Sequence, residues 1–185
     1  MSIPNSTLEI RTLGHFGISL GGKAVATEWP DEATKLLFCS LLSPLDLYFT
    51  WDRICRSMLG VSATRTSKRL LEESFIGPLN AFLIRELGFT PLISGPEYLR
   101  LDQQRIHVDA GEFHRTAVEG LRLMALGNHV AARDKLDMAA SLYVGIYLPG
   151  MTNKIINNTR NELDSLYRAA IIDAIPLARK SGCSS

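Results

Sequence analysis

The chain has 185 residues, with 20 Lys and Arg against 19 Asp and Glu, a formal charge of +1. Hydrophobic residues make up 46% and charged ones 21%, which excludes collagen-like, coiled-coil and wholly disordered chains. A chain this close to neutral can bind nucleic acid only by concentrating its positive charge locally. No apolar run approaches the roughly 18 residues of a membrane span. Met1 to Thr7 has neither the basic residues nor the apolar core of a secretory leader. Cys39, Cys55 and Cys183 show no paired or metal-type spacing, a pattern that fits a reducing cytoplasm.

Leu8 to Leu13 alternates in period 2, as a half-buried strand does, and Phe16 to Leu20 repeats the pattern. Gly21-Gly22 is a two-residue turn signal, so a third strand is expected over Lys23 to Thr27. Gly14, Gly17, Gly21 and Gly22 do not make a phosphate loop, because no helix and no Lys-Ser/Thr pair follows them. Asp31 can cap a first helix carrying Leu36, Leu37, Leu41 and Leu42, stopped by Ser43-Pro44. Thr50 can cap a second helix that holds Trp51, Ile54, Cys55 and Met58 and ends at Gly60. A third is expected from after Ser62 to Leu87, with Gly88 as its left-handed stop. Leu71, Phe75, Leu79 and Phe82 form its core stripe, and Gly77-Pro78 predicts a kink, or two helices with Pro78 opening the second. Phe89 to Ile93 and Tyr98 to Leu101 then read as a hairpin about Ser94-Gly-Pro-Glu97. Three strands, three helices and a hairpin is the order of a winged helix-turn-helix.

From Asp109 onward the pattern is helical. A first helix is expected over about Gly111 to Leu126, with Phe113, Ala117, Leu121 and Met124 on its apolar face. Gly127 to Ala139 has tetratricopeptide spacing, with Ala132 and Ala139 small enough for close helix approach and Leu136 filling the groove. A long helix is expected over about Asn158 to Ser181, burying Leu163, Leu166, Tyr167 and Ala170 and bent near its end by Pro176. One such repeat and one further helix are too few for a free-standing solenoid. The helical half therefore either packs on the winged helix or belongs to a longer protein.

Several stretches of this sequence resemble the SARP-type bacterial transcriptional activators. Leu8 to Gly22 is similar to their opening strands and Lys35 to Leu42 to their first helix. Arg85-Glu-Leu-Gly88 resembles the end of their recognition helix, and Leu92 to Leu101 their wing. Val108-Asp109 followed by Phe113 resembles the junction into their second domain, and Leu142 to Gly150 the loop between its helical pairs. The resemblance spans about residues 8 to 182. It implies an α+β chain: a winged helix of the response-regulator (OmpR/PhoB) class over 1–106, then a tetratricopeptide-like bacterial transcriptional activator domain over 107–185, expected to be incomplete. It further implies a cytoplasmic regulator that binds double-stranded DNA, with the helical module contacting RNA polymerase or another protomer. No cofactor, membrane partner or enzyme activity is expected. The alternative is a protein-interaction module whose winged helix has lost DNA reading, to which Glu73, Ile84 and Gly77-Pro78 point.

The candidate DNA-contacting residues follow from charge and position. Arg53, Arg56, Arg65, Lys68 and Arg69 give the window from Arg53 to Leu71 a charge of +5 with no acid, on the second helix and the start of the third. Asn80, expected on the polar side of the third helix, has the donor and acceptor for an adenine edge. Arg100 lies in the wing, with Arg105 just beyond it. Trp51 is expected to be buried against the sheet, and Cys39 and Cys55 to fill core space. His15, His107, His114 and His129 lack metal-ligand spacing, and no nucleophile motif is present.

Overall fold

Leu8 and Ile10 are buried while Glu9 and Arg11 face solvent in β1 (Leu8–Arg11), the alternation that sets one face of a sheet against a core. The computed structural model describes residues 7–25 and 28–181, with side chains to 178. β1 pairs antiparallel with β2 (Gly17–Leu20), and β2 with β3 (Lys23–Ala24), across Gly21 and Gly22 at φ 56° and 77°. The third strand thus ends at Ala24; Ala26 and Thr27, in the span expected for it, lie outside the described residues. Asp31 caps α1 (Glu32–Ser40), its Oδ1 accepting from Thr34 N at 2.6 Å. Thr50 caps α2 (Trp51–Leu59), and Gly60, at φ 72°, ends it.

Pro78 falls in the first turn of a second helix, one of the two outcomes expected at Gly77-Pro78, with no non-helical residue before it. α3 (Arg65–Leu71), a π-helical turn (Glu72–Ile76) and α4 (Gly77–Leu87) follow one another directly, closed by Gly88 at φ 77°. Proline offers no amide and its ring crowds the carbonyl four residues earlier. The wider turn relieves both, because Gly77 N donates back five residues to Glu72 O. A Cβ at Gly77 would stand 3.2 Å from that carbonyl, which explains why glycine precedes the proline. The same device recurs in the helical half. α7 (Lys154–Tyr167), a π-helical segment (Arg168–Ala174) and α8 (Ile175–Ser181) follow one another directly, and the π turns precede Pro176.

Two strands were not anticipated. β4 (Phe49–Thr50) joins β6 (Tyr98–Leu101), which also pairs with β5 (Leu92–Ser94), so the wing is a three-stranded sheet ordered β4-β6-β5. The hairpin's first strand begins at Leu92; Pro91 before it has no amide to give the ladder, though its carbonyl still accepts from Asp102 N across the hairpin at 2.7 Å. β7 (Ile106–Val108) runs parallel to β1 and completes a sheet ordered β3-β2-β1-β7. A boundary at residue 106 therefore falls inside a strand of the first sheet.

β7 leads directly into α5 (Asp109–Ala125), which pairs with α6 (His129–Leu142). Ala132, Leu136 and Ala139 are fully buried, and a Cβ on Gly120 of α5 would stand 2.7 Å from Leu136 Cδ2. The architecture is α+β, a winged helix followed by a tetratricopeptide-like helical module. Among the described residues no helix is long and apolar enough to cross a membrane.

The helical half packs on the winged helix. Asp109 accepts from Thr12 N at 2.8 Å, Thr12 Oγ1 at 2.6 Å and Leu13 N at 3.1 Å. The loop after α6 takes the other side of the same segment. Leu148 N donates to Thr12 O at 2.7 Å, and Gly14 N to Ile146 O at 3.0 Å. Arg160 ties that loop to α7 by donating to the carbonyls of Tyr147, Leu148 and Met151 at 2.8 to 2.9 Å. Ile155 of α7 enters the core of the winged helix, and Leu13 and Cys39 enter that of the helical module.

Gly145 lies where this loop meets the β1–β2 turn, and a Cβ there would stand 2.7 Å from Gly14 Cα. Backbone cannot move aside as a side-chain tip can. Gly145→Ala is expected to lower the unfolding free energy by about 1–3 kcal/mol. Gly17→Ala, whose Cβ meets nothing nearer than 3.8 Å, leaves it equal or higher. Chemical denaturation of both variants at constant pH measures the contrast.

Candidate nucleic-acid interface

α2, the turn over 60–64 and the rod that starts with α3 form the helix-turn-helix. One carboxylate organises it. Asp52 Oδ1 accepts from Ala63 N in the turn at 3.0 Å, and Oδ2 accepts from Arg56 Nε one helical turn on at 2.6 Å. The hydrogen bond from Ala63, and then that from Arg56, hold this carboxyl below the ordinary range. Thr64 and Ser67 form a reciprocal capping box that starts α3 immediately after the turn. Trp51 is 4% exposed, and its indole N–H donates to Gly95 O at 3.2 Å, which fastens α2 to the turn of the wing.

On this frame the five cations of the 53–69 window occupy α2 and the first turns of α3. They do not act as a free charge of +5. Arg53 pairs with Asp46 and lies over the Phe49 ring at 5.1 Å; Arg56 pairs with Asp52; Arg69 Nε bonds Glu73 Oε1 at 2.7 Å. The three acids flank the window in sequence, so a count within it misses them. Lys68 is half-buried, its ammonium 6.0 Å from the centre of the Trp51 ring. Arg65 is exposed and makes no ion pair among the described residues.

Asn80 is placed differently from the expectation. It is half-buried on α4, and its Oδ1 accepts from Thr90 Oγ1 at 2.7 Å, which ties the rod to the segment entering β5. Arg100 is half-buried in β6, on the opposite side of the wing turn from β5. Arg105 pairs with Asp102 at 3.7 Å and lies over Phe89 at 5.1 Å. The solvent face of the rod also carries Glu72, Leu70 and Ile84, the last two 48% and 52% exposed. The role of Asp52 was missed from sequence, although an Asp at the second position of a helix with Arg four residues later was there to be read.

Comparison with solved structures finds a similar fold in Mycobacterium tuberculosis EmbR, in a complex with a low-affinity phosphopeptide. The TM-score is 0.59 at 17% sequence identity, over 94% of this chain and 44% of that one. At that identity the likeness shows the fold, and the present chain spans less than half the length of its neighbour. No protein-family model matches the chain, and neither does any curated protein.

Because the Asp52 carboxyl is held below its ordinary range in the folded state, it stabilises the turn at pH values above that range. The contribution disappears as the pH falls through the lowered range and the group protonates. Asp52→Asn is therefore expected to be less stable than the parent near pH 7, with the difference shrinking toward pH 3. Thermal midpoints of both proteins across that interval give the test.

Proposed function

We propose that this chain is a DNA-binding transcriptional regulator of the SARP type, acting in the cytoplasm by binding and without chemistry of its own. The observation that carries the reading is the helix-turn-helix itself. An Asp52-braced turn delivers a capped helix whose first turns hold Arg65, Lys68 and Arg69, next to α2 with Arg53 and Arg56. In a winged helix that is where phosphate contacts belong, and such contacts supply salt-dependent affinity. The sequence resemblance and the fold shared with EmbR support the same reading. In it, α2 and α3 meet duplex DNA, Arg100 in the wing reaches the backbone, and the helical module makes protein contacts with polymerase or another protomer. Asn80, engaged with Thr90, acts chiefly by holding the rod to the wing sheet.

A second reading is favoured by the apolar and acidic residues exposed on the rod. Leu70 and Ile84, with Glu72 and Glu73, suit a protein partner better than a major groove. The two readings separate on salt. Counterion release makes duplex affinity fall steeply between low and physiological salt when several phosphates are contacted.

Arg65→Ala with Arg69→Ala is expected to remove most duplex binding at low salt while leaving circular dichroism and the thermal midpoint near the parent values. Fluorescence anisotropy on a random-sequence duplex, followed over a salt titration, checks this. A folded double variant with parental affinity moves the assignment to the protein-interaction module.

A further inference from the structure

Between α2 and the start of α7 lies a groove of about 240 Å³ lined by Arg53, Arg56, Ser57, Lys154, Ile155 and Asn158. It is the junction of the two modules: three of these residues belong to the winged helix and three to the helical half. Its floor is Ile155, 2% exposed and part of the winged-helix core. Its walls carry three cations, an amide and a hydroxyl, with no acid among the lining residues. Ser57 Oγ is buried and has no hydrogen-bond partner among the described residues, an orphan that a buried polar group seldom remains. Lys154 is exposed and makes no ion pair among the described residues.

We infer that this groove binds one phosphate of the DNA backbone, so that the helical module contributes directly to duplex binding through Lys154 and Asn158. The inference rests on the DNA-binding reading above and extends it to residues of the second module.

Charge and geometry carry it. Arg53 gives Nη1 to Asp46 and Arg56 gives Nε to Asp52, which leaves each guanidinium with further N–H donors. Neither aspartate lines the groove. Three cations less two partner carboxylates leave one positive charge, which a phosphodiester, with its single negative charge, balances. A tetrahedral oxyanion also takes several donors at once, and the exposed side chains of Lys154 and Asn158 supply an ammonium and an amide beside the two guanidiniums. On α2, Arg56 stands between the Asp52 face, which holds the turn into α3, and the Arg53 face, which borders α7. Arg65 at the start of α3, Arg56 and Arg53 on α2 and Lys154 at the start of α7 thus place cations on both sides of the module boundary, with Asp52 and Asp46 beside the two arginines of α2.

The test uses the full chain with Lys154→Ala and, separately, Asn158→Asp, which places a negative charge in the groove without touching either core. Both sites are exposed, so both variants keep the parental thermal midpoint. Lys154→Ala is expected to weaken binding to duplexes of any sequence and to reduce the slope of log K against log salt by about 0.9, the value for one phosphate. Asn158→Asp is expected to weaken binding at low salt by at least as much. Parental affinity and slope in both variants overturn the groove assignment while the DNA-binding reading stands. If the parent binds no duplex at low salt, that reading fails, and titration with inorganic phosphate decides the groove. A phosphate-induced rise in thermal midpoint that is lost in Lys154→Ala keeps it as a phosphate site fed from another source, and no rise overturns it.

Discussion

A single carboxylate at residue 109 turns two modules into one body. β1 ends at Arg11, yet the backbone continues buried through Thr12 and Leu13, whose amides need acceptors there. β7 cannot supply them, because its parallel pairing with β1 stops at Val108 opposite Ile10. The next residue in the chain, Asp109, supplies them with its side chain, and the same carboxylate accepts from Ala110 N at 2.7 Å at the start of α5. Strand pairing is thereby converted into a helix start within one residue. The loop over 143–151 then takes the opposite edge of Thr12 and Gly14, and Arg160 holds the loop. The helical module extends the first sheet by hydrogen bonds on both sides of one strand's end. Asn153 to Ser40 at 2.7 Å and Thr159 to Ser43 at 2.8 Å add polar ties across the same boundary.

The two proline positions obey one rule. A proline inside a helix leaves an acceptor without a donor and strains the preceding turn. The usual outcome is a break, and a break at residue 78 would have freed the basic half of the rod from the half that anchors it. Here the strain is absorbed by π turns just before Pro78 and Pro176. Leu79, Phe82 and Leu83, all buried, can then hold α4 in the core while α3 carries Arg65 and Arg69 outward on the same rod. A hinge at the same point would have made every contact of those arginines subject to an ordering cost.

What was legible in the sequence was local. Asp31, Thr50, Gly60 and Gly88 act at the helix ends where their chemistry placed them, because a cap depends only on residues a few positions away. The small residues of α6 were equally readable, since Ala132 and Ala139 on one face leave only one way for a helix to approach. What was hidden depends on distance along the chain. β7 is three residues long and is a strand only because β1 lies beside it, nearly a hundred positions away. β4 is two residues and exists by pairing with β6. The neutralisation of Arg53, Arg56 and Arg69 was invisible to a charge window because Asp46, Asp52 and Glu73 lie just beyond its edges. Asn80 was misplaced for a similar reason: its partner Thr90 follows the helix stop and returns to it only in three dimensions.

These ion pairs do not argue against an anionic partner. The Arg56 and Arg69 pairs are exposed four-residue pairs, with Asp52 and Glu73 side chains 48% and 61% accessible. Such pairs contribute roughly 0–1 kcal/mol, because water screens them and two side chains must be held still. A phosphate can add to the guanidinium or displace the carboxylate with little loss. In the absence of a partner the same pairs hold each arginine in one orientation, which reduces the side-chain entropy lost when it is engaged. Arg53 differs, since Asp46 is only 17% accessible and the guanidinium also lies over Phe49. That guanidinium is the most firmly held of the three, by Asp46 and by the ring. The surface is therefore graded along α2 and α3, from a fixed cation at Arg53, through exchangeable ones at Arg56 and Arg69, to unpaired Arg65. A gradation of this kind moderates non-specific attraction, which scales with free charge, and leaves close fit to decide which anion stays.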